Sequence, residues 1–356
     1  MKRLPRPTTI PPTAALKHVN SYIRKNFVEL SELPLDARLF NLIENDLVKH
    51  AGDHMPASSW ARAGGGEANK PLENFRASNL LSPWLGFGKN RVAPESLLWH
   101  YQYLRDIDAF GLCDSYFESA DKLKPAASDL LVADLGTILE ICLIAPFLRE
   151  PAEDPLLIVE VGGGYGRLAE AFLNVFQGKA KYALIDAVPA SLLYAHEYLK
   201  RANPEIRIGS FYHGDSFDMK TFDVYICPIW HFDGIAKGRF DLAINIQSMQ
   251  EMEQHHCDFY LNWFDSVLKL NGIAYLNNRR DHLFRGAWNF PENWECLLKV
   301  RTPRSWTRDF PSEIYRKGNR SYASENRIRE TFYRRDLMNA DDAVRAAAAK
   351  RGHQIY

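Results

Sequence analysis

A chain of 356 residues is too long for one small hydrophobic core, so we expect two domains or one domain with large additions. Hydrophobic residues make up 46% of the chain and charged residues 25%, as expected for a soluble globular protein. The 44 basic residues balance the 44 acidic ones, so no excess positive charge indicates a nucleic acid as partner.

The cysteines and the first residues bear on the compartment. An odd, scattered set of cysteines without a C-x-x-C pair predicts free thiols in a reducing compartment, not a disulfide framework or a zinc site. These are Cys113, Cys142, Cys227, Cys257 and Cys296. Residues 1–16 are basic and Pro-rich without an apolar run, so we expect no signal peptide and a cytoplasmic protein.

The first 150 residues are expected to form an N-terminal region of helices and loops, a cap that could bind the acceptor of a reaction. Helices are predicted over 14–30, 35–50, 94–110 and 128–149, and the Gly-, Ser-, Asn- and Pro-rich segment 51–93 is predicted to be loop. The most apolar stretch, 135–148, contains Glu140 and is too short to cross a bilayer, so we interpret it as a buried helix and expect no membrane partner.

From residue 151 the pattern changes to alternating strands and helices. Short apolar runs rich in β-branched residues predict buried strands, and between most of them apolar residues recur at helical spacing. Strands are predicted at 155–161, 181–186, 222–230, 238–247 and 272–278, and helices at 167–176, 190–203 and 255–270. This alternation predicts an α/β fold, a Rossmann-like parallel sheet with helices on both faces, over residues 151–300.

A glycine-rich loop lies between the first strand and its helix, in "VEVGGGYGRLAE". There, glycines let the backbone approach a ligand closely, and the helix N-terminus offers unpaired N–H groups. A dinucleotide fingerprint needs G-x-G-x-x-G, but Arg167 occupies the place of its third glycine. The observed pattern is E-x-G-x-G-x-G, from Glu160 through Gly162 and Gly164 to Gly166, which resembles the first motif of class I S-adenosylmethionine-dependent methyltransferases. The other triple glycine, at 64–66, follows no strand and is interpreted as a flexible loop.

Two acidic residues adjoin this loop. Asp186 ends the second strand, where a carboxylate can accept hydrogen bonds from both hydroxyls of a ribose. The alternative is an ordinary loop aspartate that caps the next helix. Glu160 is expected to orient the glycine loop or the amino group of a bound methionine moiety rather than to perform chemistry.

Further candidates follow the third and fourth predicted strands. Trp230, His231 and Phe232 could form an apolar wall for an adenine ring, or could simply pack in the core. Ligands of open parallel sheets bind beyond the carboxyl ends of the strands. Gln247, Ser248 and the residues up to Glu251 are therefore expected to face the reaction centre.

The segments "VEVGGGYGRLAE", "LIDAVPASLLYAHEYL", "FDLAINIQSMQEM" and "NGIAYLNNR" together resemble the sugar O-methyltransferases of bacterial polysaccharide gene clusters, which are class I S-adenosylmethionine-dependent methyltransferases. The resemblance covers roughly residues 155–280. It implies S-adenosylmethionine as methyl donor and the hydroxyl of a sugar, nucleotide-linked sugar or glycan as acceptor. The implied donor contacts are Gly162, Gly164, Tyr165, Gly166 and Asp186, and we add Glu160, Ala187, Trp230, Gln247 and Ser248 to the cofactor-binding set.

A sugar hydroxyl is a weak nucleophile at neutral pH, so a general base is expected. The candidates are Glu251, His255 and His231, with His256 as a fourth; Glu251 and His255 rank first because both follow the fourth predicted strand. No metal is expected, because the acidic residues show no ligand spacing and the adjacent histidines of "EQHHCD" should point to different sides of a helix.

The last segment, 301–356, is an Arg-rich C-terminal extension with 11 Arg and 2 Lys against 7 acidic residues. It could bind a phosphorylated or uronic sugar, or be a solvated surface helix. Three other functions remain open: an NAD(P)-dependent oxidoreductase or epimerase, a non-catalytic binding module on the same fold, and an RNA methyltransferase that uses this extension. Assembly into a homo-oligomer also stays open.

Overall fold

A computed structural model describes residues 33–50, 104–108, 132–149, 151, 154–279, 288–301 and 311–333. The predicted helix 14–30, the predicted loop 51–93 and the second triple glycine lie outside these residues. So do most of the predicted helix 94–110, of which 104–107 is helical, and the end of the Arg-rich extension. The four cysteines within the described residues are buried and form no disulfide, in agreement with the prediction of thiols.

Five helices and eight strands carry the fold of the described residues. The helices are α1 (Ala37–His50), α2 (Val132–Ile144), α3 (Arg167–Val175), α4 (Pro189–Ala202) and α5 (Gln254–Val267). The strands are β1 (Leu156–Val161), β2 (Ala180–Asp186), β3 (Ile208–Ser210), β4 (Val224–Pro228), β5 (Phe240–Ile246), β6 (Leu268–Asn277), β7 (Trp294–Arg301) and β8 (Pro311–Lys317). Residues 323–333 form a further helical segment.

All eight strands form one sheet in the order β3-β4-β2-β1-β5-β6-β8-β7. The strands from β3 to β6 run parallel, whereas β8 is antiparallel to both of its neighbours. Because crossovers between parallel strands are almost always right-handed, this order puts α3 and α4 on one face of the sheet and α5 on the other by rule. The expected α/β fold is confirmed. From β1 the chain adds β2, β4 and β3 on one side of the sheet and then β5 and β6 on the other, so the strand order reverses between β1 and β5.

The strands at this reversal are buried because their sequences are almost wholly apolar. Leu156, Ile158 and Val159 of β1 are completely buried, as are most residues of β2 and β5. Such continuous apolar runs are typical of parallel strands covered on both faces. The apolar stretch around α2 is also buried, as predicted, and none of the described helices is long and apolar enough to span a bilayer.

The structure corrects three details of the sequence analysis. Neither of the two edge strands, β3 and β7, was predicted. The helix predicted over 255–270 ends at Val267, because Leu268 already pairs with Phe240 of β5. β8 was not predicted either: despite its polar composition it pairs with β6, and the sheet continues past residue 300.

Candidate active site

The loop between β1 and α3 needs its glycines. Gly162, Gly164 and Gly166 have φ values of +79°, +57° and +86°, in the left-handed region that other residues rarely adopt. A Cβ atom on Gly162 would also lie 2.4 Å from Oγ of Ser248, which follows β5. The loop therefore lies directly against the carboxyl end of β5, at the reversal of the strand order.

The amides of this loop are bound by the protein itself. The N–H groups of Gly162 and Gly163 donate to the carbonyl of Ile185 in β2, at N···O distances of 2.8 and 3.3 Å. The Gly164 N–H donates to Oδ2 of Asp186 at 2.9 Å, and that of Gly166 to the Gly163 carbonyl. The loop is thus fastened to the end of β2.

Asp186 connects the glycine loop to α4. Its second carboxylate oxygen accepts the N–H of Val188, the residue before α4, at 2.8 Å. Burial raises the pKa of Asp186 to about 6, although hydrogen bonds from the amides of Val188, Gly164 and Ala187 oppose that rise. Each carboxylate oxygen can accept a further hydrogen bond, so the ribose contact stays a prediction.

Glu160 lies beneath the loop. Its carboxyl accepts a hydrogen bond from the Tyr182 hydroxyl at 2.7 Å, and a Cβ on Gly163 would be 3.2 Å from its Oε2. Burial raises the pKa of Glu160 to about 7, against the opposing effects of Tyr182 and Arg167. A buried carboxyl directly under the loop suits the expected orienting role.

Two neighbouring residues have functions that the sequence analysis did not anticipate. Arg167 lies at the start of α3, and its two terminal nitrogens donate to the carboxylate of Glu140 in α2 at 2.7 and 3.2 Å. One of them also donates to the Thr137 hydroxyl at 2.6 Å. Tyr165, predicted to contact the donor, is buried and packs edge-to-face on Tyr198 of α4. The sequence did offer one sign of this buried ion pair: Glu140 is the single charged residue of the apolar stretch 135–148.

A pair of asparagines joins the ends of three strands. The Asn245 amide donates to the Val161 carbonyl at 2.8 Å and to Ser248 Oγ at 2.6 Å. Asn278, which follows β6, donates to the Asn245 side chain at 3.0 Å. Gln247 between them is exposed and has a φ of +57°, a strained backbone of the kind found at binding sites. The sequence analysis missed both asparagines.

The predicted general bases lie apart from one another. The backbone of Glu251 lies in the turn Met249–Glu251 directly after β5, whereas its side chain is outside the described residues. The side chain of His255 is 69% exposed and lies 3.3 Å from Glu253. The rings of His255 and His256 are 3.9 Å apart, so the expectation that they point to different sides of the helix is wrong.

His231 and Trp230 meet the N-terminal helix rather than the other base candidates. The Trp230 indole N–H and the Tyr212 hydroxyl donate to Oδ2 of Asp46 in α1, and His231 Nε2 lies 2.8 Å from the same oxygen. The carboxyl ends of β4 and β5 are separated by two strands, roughly 14 Å. The structure therefore separates His231 from the turn that contains Glu251, and it buries Phe232 against Trp263 of α5.

No protein-family model matches the chain, and no curated protein sequence matches it. Among solved structures, the chain is similar to the CurJ carbon methyltransferase (14% identity, 86% of this chain and 89% of that chain, TM-score 0.38). It is also similar to the DhpI–SAH complex (13% identity, 64% and 98%, TM-score 0.35). A third similarity is to phosphoethanolamine N-methyltransferase 2 of Haemonchus contortus with S-adenosyl-L-methionine (16% identity, 35% and 24%, TM-score 0.25).

Proposed function

We propose that this chain is an S-adenosylmethionine-dependent O-methyltransferase that acts on a sugar hydroxyl, in a nucleotide-linked sugar or a glycan. The observation that carries the proposal is the glycine loop at the reversal of the strand order, with the Asp186 carboxylate bound to it. In open α/β sheets, ligands bind at this reversal, beyond the carboxyl ends of the strands.

The hydrogen bonds of the loop favour a sulfonium cofactor over a dinucleotide. Phosphate-binding loops direct free backbone N–H groups at their anion. Here the amides of Gly162, Gly163 and Gly164 donate to β2 and Asp186 instead. Glu160 and Asp186 add carboxyls beside the loop, which are complementary to a cationic ligand with hydroxyl groups and unfavourable for a pyrophosphate.

In this mechanism, S-adenosylmethionine supplies an activated methyl group, and the chain's residues position its acceptor. Asp186 would accept the ribose hydroxyls, and Glu160 would hold the loop or the amino group of the methionine moiety. The Asn245 amide fixes Ser248 against β1. Alignment of two reactants can lower a barrier by about 7–11 kcal/mol in the best cases, so a rigid end of β5 is valuable.

Glu251 is our proposed general base, which would accept the proton of the sugar hydroxyl. It follows β5 directly, in the turn next to Ser248. His231 is bound to Asp46 at the end of β4, which two strands separate from β5, and His255 is largely exposed. Binding of the acceptor by the N-terminal region or by the Arg-rich extension stays a prediction from the sequence.

The cofactor can be tested by isothermal titration calorimetry with S-adenosylhomocysteine and, separately, with NAD⁺. We expect binding of S-adenosylhomocysteine and at least a tenfold loss of affinity in Asp186→Ala, since the ribose would lose its carboxylate. Asp215→Ala is the matched control, because Asp215 accepts a backbone N–H at the end of β3, away from the loop. Binding of NAD⁺ alone would reject the methyltransferase.

The acceptor and the base can be tested with labelled S-adenosylmethionine and a panel of nucleotide sugars. Glu251→Gln should lower kcat by about 10²–10⁴-fold, the usual contribution of a general base, without a change in S-adenosylhomocysteine affinity. His255→Ala, an exposed residue in the next turn, should leave kcat nearly unchanged. An active Glu251→Gln enzyme would move the base elsewhere, and transfer only to acceptors without sugars would refute the substrate class.

A further inference from the structure

Two residues of α1 meet one residue of the sheet in a compact cluster. Asp46 and His50 are one helical turn apart, and His231 comes from the turn Ile229–Gly234 after β4. His231 Nε2 lies 2.8 Å from Asp46 Oδ2, and His50 Nε2 lies 3.7 Å from Asp46 Oδ1. One carboxylate oxygen and two imidazole nitrogens therefore lie within 4.8 Å of one another.

This donor set fits a zinc-class cation. Zinc binds imidazole nitrogen and carboxylate oxygen at about 2.0–2.2 Å, which places ligands of a tetrahedral ion roughly 3.4 Å apart. The 3.7 Å from His50 Nε2 to Asp46 Oδ1 is close to that value, and all three ligand atoms lie within 4.8 Å of one another, so small side-chain rotations suffice. Magnesium prefers oxygen ligands alone and is disfavoured by two histidines.

Groups outside the three ligands hold the carboxylate in place. Tyr212 and Trp230 donate to Oδ2 of Asp46, which leaves Oδ1, the oxygen nearest His50, available to an ion. Such outer partners are typical of metal-binding carboxylates.

The cluster has a natural comparison in the same chain. The ligand atoms of Glu253, His255 and His256 also lie within 4.8 Å of one another. All three come from one short segment at the start of α5, and Glu253 and His255 are mostly exposed. The second cluster joins no two separate helices or strands, so we do not expect it to fasten parts of the fold together. A substitution at His255 therefore serves as the control for the first cluster.

We propose that Asp46, His50 and His231 bind one zinc-class divalent cation, which fastens α1 to the turn that follows β4. The proposal is independent of the methyl-transfer reaction. Three protein ligands leave one position for water. Phe211, in the turn after β3, stacks on His231 at 4.0 Å and supports the orientation of the ring.

The test uses the full chain after treatment with a chelator. Calorimetry with Zn²⁺ and absorption spectroscopy with Co²⁺ should each show about one equivalent bound, with visible bands of a low-symmetry site. His50→Ala and His231→Ala should weaken binding by about 100-fold, and His255→Ala should not. No uptake by the wild-type chain, or equal uptake by all three variants, would overturn the proposal.

Two further measurements separate metal binding from failure to fold. His50 is only partly buried and contacts Asp46 at 3.7 Å, so its substitution should preserve the thermal unfolding transition. Tyr212→Phe keeps every ligand but removes one donor to Asp46, and affinity should fall about 10–100-fold. Hydrogen exchange of α1 amides should slow when Zn²⁺ is added; unchanged exchange with metal bound would refute the fastening role.

Discussion

A glycine can be required for two different reasons, a left-handed backbone or a close neighbouring atom, and the glycine loop contains both cases. Gly162 combines a positive φ with a close approach to Ser248, whereas Gly214 has a similar φ of +82° and no neighbouring atom within 4 Å of the point where a Cβ would lie. The two glycines therefore distinguish the cost of backbone conformation from the cost of crowding.

Gly162→Ala should lower the free energy of unfolding by more than Gly214→Ala does. A left-handed backbone costs a non-glycine residue about 1–2 kcal/mol, and only Gly162→Ala adds overlap with Ser248. Urea denaturation measures both losses, and Ser248→Gly in the Gly162→Ala background should recover the difference. Equal losses of unfolding free energy at the two positions would show that the loop shifts enough to remove the overlap with Ser248.

At this scale the sequence predicts what is local. The positions of Gly162 and Asp186 follow from their places at strand ends, because the spacing along one strand–loop–helix unit determines them. Asn245 and Asp46 could not be predicted in the same way. Their partners, Asn278 and His231, are 33 and 185 residues away, and no local pattern indicates such contacts.

Helices α2 and α3 are joined by a buried ion pair. The Arg167 guanidinium meets the completely buried Glu140 carboxylate in a two-pronged contact. Removing one partner of such a pair leaves a buried charge without compensation, whereas replacing both by apolar groups is often neutral.

Arg167→Met should therefore destabilise the protein by about 3–5 kcal/mol, and Glu140→Met/Arg167→Met by much less. Arg207→Met provides the control, because Arg207 binds Asp223 at the surface and such pairs contribute about 1 kcal/mol or less. Chemical denaturation of the double-mutant cycle measures the coupling. Additive losses would mean that the two side chains act independently.

Prediction of elements succeeded where periodicity was strong. The apolar runs of β1, β2 and β5 were assigned because burial on both faces leaves a clear pattern, and α3 because its apolar residues recur at helical spacing, although the helix is buried all round from Leu168 to Val175. β8 has the sequence "PSEIYRK", whose charged residues give no such pattern. Its place in the sheet depends on pairing with β6, which lies more than 30 residues earlier.

Across the whole molecule, two buried carboxyls bear on the pH dependence of stability. The pKa of Glu160 rises from 4.5 to about 7, and that of Asp186 from 3.8 to about 6, both chiefly through burial. Because the folded-state values exceed the unfolded ones, protonation favours the fold. This contribution is complete below about pH 4 and is lost as pH rises through 6 and 7.

Glu160→Gln should consequently stabilise the protein at pH 8, by up to roughly 3 kcal/mol, relative to its effect at pH 4. Glutamine keeps an oxygen for the Tyr182 hydroxyl and carries no charge. Thermal unfolding of wild type and variant across pH 4–8 measures the difference between their stabilities at each pH. Other titrating groups, such as His213 with its lowered pKa, contribute equally to both proteins and cancel from this difference. A constant difference across this range would contradict a titrating Glu160.

The pairing of β8 with β6 has a consequence for truncated variants of this chain. Ser312 and Pro311 receive hydrogen bonds from the Asn277 amide, one residue before the asparagine that reaches back to β5. A truncation at the Arg-rich boundary would strip β6 of its neighbour, present a bare strand edge to other molecules, and invite aggregation. A tail that looks dispensable by composition therefore protects the strands beside it.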